Sequence, residues 1–149
     1  MRPPMKIDAA GLAHLRVLEG CKLVAYWDKT GWALGYGQHD PAFNLTSTCT
    51  LLGAETWLQA TTETISDRLS DLITVSLNQG QFNVLCIFAY NIGLSHFASS
   101  HLLSRLNGGN FDSVPGELAR WVYADGQIDS ALETRRQVEI ALWDEACST

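Results

Sequence analysis

Leu12, Leu15 and Leu18 recur at helical spacing behind Asp8, a residue suited to cap a helix, and the pattern stops at Gly20. Residues 22–46 change character. Leu23, Val24, Tyr26, Trp27, Trp32, Leu34 and Tyr36 are interrupted by Gly31, Gly35 and Gly37, which predicts short strands joined by tight turns. Pro41 and the Thr46-Ser47-Thr48 cluster close that segment. Beyond it the pattern is helical. Gly53 to Ile73 predicts one long helix with Trp57, Leu58, Ile65, Leu69 and Leu72 as its apolar positions. Asn78 precedes Gln79 to Ile92, where Phe82, Leu85, Cys86, Phe88, Ala89 and Ile92 leave little polar face. Such a helix is buried on most sides, is too short to span a bilayer, and is stopped by Gly93. Ser95 to Leu106 predicts a further helix, ended by Asn107-Gly108-Gly109. Asp112 to Val122 predicts another, with its true start near Pro115 and a break at Gly126. The last runs from Ser130 to Ala146, with Leu132, Val138, Leu142 and Trp143 facing inward. The expected fold is α+β, mainly α: a small sheet lobe at about 22–46 on a helical body (8–20 and 53–147), as a single domain over residues 1–149.

Composition narrows the function. Hydrophobic residues make up 46% and charged residues 17%, which excludes disorder. No apolar run approaches the roughly 18 residues of a membrane span, so no stable membrane association is expected. The segment Met1 to Asp8 lacks the apolar stretch of a secretory signal, so another protein would have to open any route across a membrane. A net charge of −6 argues against a nucleic-acid partner, which requires a basic face. It supplies no attraction to an anionic polymer either, although Arg135-Arg136 is a local basic pair. Cys21, Cys49, Cys86 and Cys147 form no CxxC pair and read as free thiols, Cys86 as core, with a disulfide as the lesser alternative. His14, His39, His96 and His101 show no metal-ligand spacing, and no nucleophilic Ser or Cys motif is present. No metal or other cofactor is expected.

Glu19 ends the first helical pattern, and Asp28 follows inside the glycine-punctuated run Ala25 to Gly37. Two carboxylates in unlike environments are what glycosidic-bond hydrolysis requires: one protonated to serve the leaving oxygen, one ionised beside the developing ring cation. Glu19 would lie at the negative end of a helix dipole, which favours the protonated, donating form, and Tyr26, Trp27 or Trp32 nearby would desolvate it further. The plain alternatives are an exposed helix-end glutamate and a turn aspartate bonding its own backbone ahead of Lys29-Thr30-Gly31.

Five blocks in order resemble the bacteriophage-type lysozymes, also called endolysins or muramidases. The first is Glu19-Gly20-Cys21-Lys22-Leu23-Val24-Ala25-Tyr26-Trp27-Asp28 with Leu34-Gly35-Tyr36-Gly37. The second is Leu77 to Leu85 followed by Phe88-Ala89-Tyr90-Asn91-Ile92-Gly93. The others are Phe97 to Leu103 with Leu106-Asn107, Arg120-Trp121, and Leu132-Glu133-Thr134-Arg135-Arg136 with Glu139 and Trp143. Together they cover nearly the whole chain. Two departures stand out. Ala33 occupies the place of the family's Thr, whose hydroxyl is thought to hold the attacking water, and Gln38 then His39 follow the Gly-x-Gly where the family has His at once.

The resemblance implies a lysozyme-like fold and hydrolysis of peptidoglycan between N-acetylmuramic acid and N-acetylglucosamine, with Glu19 as general acid, Asp28 as second carboxylate and no cofactor. It implies a cleft lined by Asn91 and Ser100, for which helix capping or packing is the competing role. Arg120 and Arg135 would contact peptide carboxylates or brace Glu19, and Arg136 with Glu139 reads as a surface ion pair at helical spacing, worth little alone. Thr30 is the nearest substitute hydroxyl, or a turn residue. A monomer is expected, made in a bacterial cytoplasm and released to the wall through a holin-like pore. Two rivals remain: a catalytically inactive glycan-binding relative, and a retaining or transglycosylating enzyme on the same fold.

Overall fold

The Asp8 carboxylate accepts the Gly11 N–H at 3.1 Å and starts helix α1, Ala9–Glu19. Gly20, at φ 64°, turns the chain out of it. The computed structural model describes residues 3–149; Met1 and Arg2, at the head of the segment read above for a signal, lie outside the described residues. Three antiparallel strands follow in the order β1 (Lys22–Asp28), β2 (Gly31–Gly35), β3 (Gln38–His39). Lys29 and Thr30 make the first turn, with Lys29 at φ 30°, and Gly37 at φ 78° sits in the second. The outer edge of β1 is covered by residues 47–49, where Ala25 N–H donates to Ser47 O and Cys49 N–H to Leu23 O.

Thr50 caps α2 (Leu51–Leu72), two residues before the start expected from the apolar pattern, because its hydroxyl accepts the Gly53 N–H at 3.0 Å. An Asn78/Gln81 capping box starts α3 (Gln79–Ile92), and eight consecutive residues, Phe82 to Ala89, are buried. The helix expected from Ser95 to Leu106 is two: α4 (Leu94–Ala98) and α5 (His101–Asn107). Ser100 splits them by capping α5, its hydroxyl accepting the Leu103 N–H. The helix expected from Asp112 to Val122 shrinks to a 3₁₀ turn (Phe111–Ser113) and α6 (Val114–Leu118). Gly126 is no simple helix break. Asp125 (φ 52°) and Gly126 (φ 77°) are both left-handed and close a small hairpin, β4 (Tyr123–Ala124) and β5 (Gln127–Ile128).

The last helix, α7 (Ser130–Cys147), differs most from its sequence reading. Its inward face is Arg135, Arg136, Glu139, Trp143 and Ala146, while Leu132, Val138 and Leu142 are only half-buried. The main core gathers α3, α5 and α6 with Trp143, and a smaller cluster of Leu12, Leu15, Tyr36, Ala54, Leu58 and Ile87 joins α1 and α2 to the sheet.

Beside that smaller cluster, Arg16 of α1 forks onto Glu55 of α2 (Nε–Oε1 and Nη2–Oε2 both 2.9 Å), and the Tyr36 hydroxyl donates to Glu55 Oε1 at 2.5 Å. Hydrogen bonds from Arg16 and then Tyr36 hold the Glu55 carboxyl below its ordinary 4.5, and the same contact pushes the Tyr36 phenol up to about 12. Because the folded protein depresses Glu55, its contribution to stability is whole above the unfolded-state value and is lost as pH falls through the folded one. Tm measured from about pH 6 down to about pH 3 is therefore expected to fall more steeply for the wild type than for Glu55→Gln. Parallel curves would contradict this.

Candidate active site

Glu19 is the last residue of α1, and the turn at Gly20 leaves its side chain directed at α7. Arg135 Nη1 donates to Glu19 Oε2 at 3.0 Å, with only 14% of the Glu19 side chain exposed. Its other oxygen lies over Gly37, where an added Cβ would stand 3.9 Å from Oε1. The Tyr90 hydroxyl donates to Tyr36 O at 2.6 Å and accepts from Gln38 Nε2 at 2.8 Å. Burial, then the charge of Glu19, pushes the Tyr90 phenol well up.

Asp28 ends β1 and is open, with 48% of its side chain exposed. His39 Nε2 stands 3.2 Å from Asp28 Oδ2. The Tyr26 phenol feels both carboxylates: burial raises it first, then the charges of Asp28 and Glu19. The two acids therefore share one electrostatic neighbourhood. Trp27 and Trp32 meet edge to face at 5.5 Å beside Asp28, and Trp27 is largely exposed. By the strand register the two indoles lie on the face of the sheet opposite to Asp28, and the contact found on Glu19 is a guanidinium. Thr30 is an exposed turn residue. At the hairpin tip, Lys29 Nζ lies 3.5 Å from Asp129 Oδ2, while Asp129 Oδ1 accepts the Leu132 N–H to cap α7. That cap and then the lysine hold the Asp129 carboxyl low.

Arg135 is not a free cation for substrate. Besides Glu19 it donates to Ile87 O at 3.0 Å and to Glu139 Oε2 at 3.3 Å. Arg136 donates to Glu139 Oε1 at 2.5 Å, to Trp121 O at 2.9 Å and to Asn91 Oδ1, and its guanidinium lies 5.0 Å from the centre of the Phe88 ring. The pair read from sequence as a surface contact is fully interior: Arg136 is 2% exposed and Glu139 0%. Burial pushes the Glu139 carboxyl up against the pull of both arginines and pushes Arg136 down.

The other expected site residues are placed differently from one another. Asn91 presents its carbonyl oxygen to Arg136 and borders a groove with His96, Trp121 and Tyr123. Ser100 is buried, donating to Phe97 O at 2.7 Å while it caps α5. Arg120 is exposed on the same flank, 3.4 Å from Glu117 Oε2 and from His101 Nδ1. Glu139, Tyr90 and His39 escaped the sequence reading as site residues. The sequence carried Glu139 only as a surface partner of Arg136, Tyr90 within a matching block and His39 as a departure from the family pattern. Among the described residues no group of His, Cys, Asp and Glu is arranged to hold a metal.

The chain matches the family model "Phage lysozyme" over residues 16–139. It is 34% identical over 147 residues to the endolysin of Acyrthosiphon pisum secondary endosymbiont phage 1, covering 95% of this chain and 100% of that protein. It is 33% identical over 143 residues to the endolysin of Bacillus phage PZA, covering 94% of this chain but 55% of that protein, so it spans about half of that relative. Among solved structures, the muramidase domain of SpmX from Asticaccaulis excentricus superposes with a TM-score of 0.83 at 29% identity, over 93% of this chain and 97% of that one.

Glu139 tests the geometry directly. Glu139→Ala leaves two buried guanidinium groups without their shared carboxylate, a change expected to cost roughly 3–5 kcal/mol in urea unfolding. A loss below about 1 kcal/mol, the worth of a surface pair, would contradict this placement.

Proposed function

The chain belongs to the phage lysozyme family, and on that premise we propose that it hydrolyses the β-1,4 bond between N-acetylmuramic acid and N-acetylglucosamine in bacterial peptidoglycan, with Glu19 as general acid and Asp28 as second carboxylate. One observation carries this reading: the two carboxylates stand in opposite settings, Glu19 14% exposed against a guanidinium and Asp28 48% exposed at a strand end. Such asymmetry suits a division of labour between acid and anion. Glu19 gives its proton to the glycosidic oxygen as the bond breaks, and the leaving sugar departs as an alcohol. Arg135, already 3.0 Å away, stabilises the carboxylate left behind. Ionised Asp28 faces the positive charge growing on the ring and takes the proton of the attacking water.

The cleft roles divide along the observed contacts. Arg120, exposed beside Trp121, supplies a cation for the carboxylates of the stem peptide. Arg135 braces Glu19. Asn91 and Ser100 shape the wall, the first by holding Arg136 and the second by capping α5. No helix among the described residues is long and apolar enough to cross a membrane. We propose a monomer that accumulates in the bacterial cytoplasm and reaches the wall through a pore opened by a holin-like partner. Ala33, buried and without a hydroxyl, favours a second reading of the reaction course, in which Asp28 attacks the sugar directly and configuration is retained or the glycan is transferred.

Digestion of purified peptidoglycan by the wild type and by Glu19→Gln, with products identified by mass spectrometry, tests the proposal. New reducing muramic ends from the wild type alone are expected. Anhydro or transferred products would keep the enzyme and overturn hydrolysis. Intact glycan bound by both folded proteins would replace the enzyme with a binding module.

A further inference from the structure

We propose that His39 is the positioning residue for Asp28, holding its carboxylate from two strands away; this rests on the hydrolase reading above. The strand register creates the arrangement. Asp28 pairs with Gly31, Tyr26 with Ala33, and Ala33 with His39, so Tyr26, Asp28, Gly31, Ala33 and His39 share one face of the sheet. Neighbouring strands lie about 4.8 Å apart, so a β3 side chain reaches β1 only if β2 between them stays low. Here β2 offers a glycine and an alanine on that face. The imidazole uses the gap: an added Cβ on Gly31 would stand 3.9 Å from His39 Cδ2, and Nε2 reaches to 3.2 Å from Asp28 Oδ2.

The neighbouring residues leave His39 free for this task. Gln38, one residue earlier, points to the other side and is spent on structure, donating to Tyr90 OH and accepting from Thr61 Oγ1. Ala33, at the position where the family carries a hydroxyl, contributes only a methyl group. Lys29, the cation next to Asp28 in sequence, is directed at Asp129. His39 is thus the polar side chain that fixes the Asp28 carboxylate. A carboxylate that must face one atom of the sugar ring loses rate when its orientation is released, while sugar binding along the rest of the cleft is unaffected.

The test compares wild type, His39→Ala and His39→Gln on peptidoglycan of defined length, with Tm measured for each. The pair is half exposed, so both variants are expected to keep the wild-type Tm. His39→Ala is expected to lower kcat on the order of 10- to 100-fold with KM changed less than about twofold, and His39→Gln, whose amide can stand against Asp28, to recover most of the loss. Wild-type kcat in His39→Ala, or a loss carried by KM alone, would overturn the inference while leaving the hydrolase reading intact. An equal loss of kcat in both variants would also overturn it, because an amide in place should serve. A wild type that cuts no glycan would instead bring down the parent reading, and this inference with it.

Discussion

A buried ladder of alternating charge, Glu19–Arg135–Glu139–Arg136, is the constraint on which the rest of the molecule depends. None of its members could be buried singly, because the desolvation of a lone charge exceeds what packing returns. Together they cancel, and further acceptors satisfy the remaining donors: Ile87 O for Arg135, Trp121 O and Asn91 Oδ1 for Arg136. No buried side-chain polar atom among the described residues is left without a partner. Those contacts fasten the end of α1, the middle of α3, Trp121 in the loop after α6 and the first turns of α7 to one another. The proposed general acid is therefore an end member of a structural core, and its orientation is set by the buried ladder behind it.

The sheet lobe is tied to this core by a second, more exposed set of bonds. Tyr36 donates to Glu55, its carbonyl accepts from Tyr90, and Gln38 donates to Tyr90. The turn between β2 and β3 is thus anchored on α2 and α3, while the other end of the hairpin carries Asp28, half exposed. Lys29 and Asp129 bridge its tip to the cap of α7. An anchored base and a lightly held tip suit a cleft that must admit a polymer, with Glu19 on the fixed side and Asp28 on the open one.

Much of this was legible in the sequence, and the failures have physical reasons. The bounds of α3 follow from Asn78 and Gly93, since capping is local chemistry. The break between α4 and α5 was hidden because the apolar period runs on across Ser99 and Ser100, and a short helix can change direction without disturbing it. Asp125-Gly126 carried a hairpin signal, but strands of two residues leave no alternation to read. The face of α7 was legible at Trp143 and Leu142, which pack inward as expected, but not at the charged residues that share it. Arg135 and Glu139 are buried only by virtue of each other and of Glu19, which lies 116 positions away in the chain. Glu19 and Asp28 could be named as candidates from local pattern and resemblance. His39 could not, since only the register of β2 and β3 carries it to Asp28.

The most direct measurement is kcat and KM of Arg135→Lys against peptidoglycan, beside its Tm. Lysine keeps one positive charge in the ladder but cannot fork to Glu19, Ile87 O and Glu139 at once. If the ladder orients the catalytic acid, the variant folds with a lowered Tm, and its kcat falls roughly 10- to 100-fold at little-changed KM. A folded variant with wild-type kcat would show that Glu19 needs no brace, and the account of the site would fail.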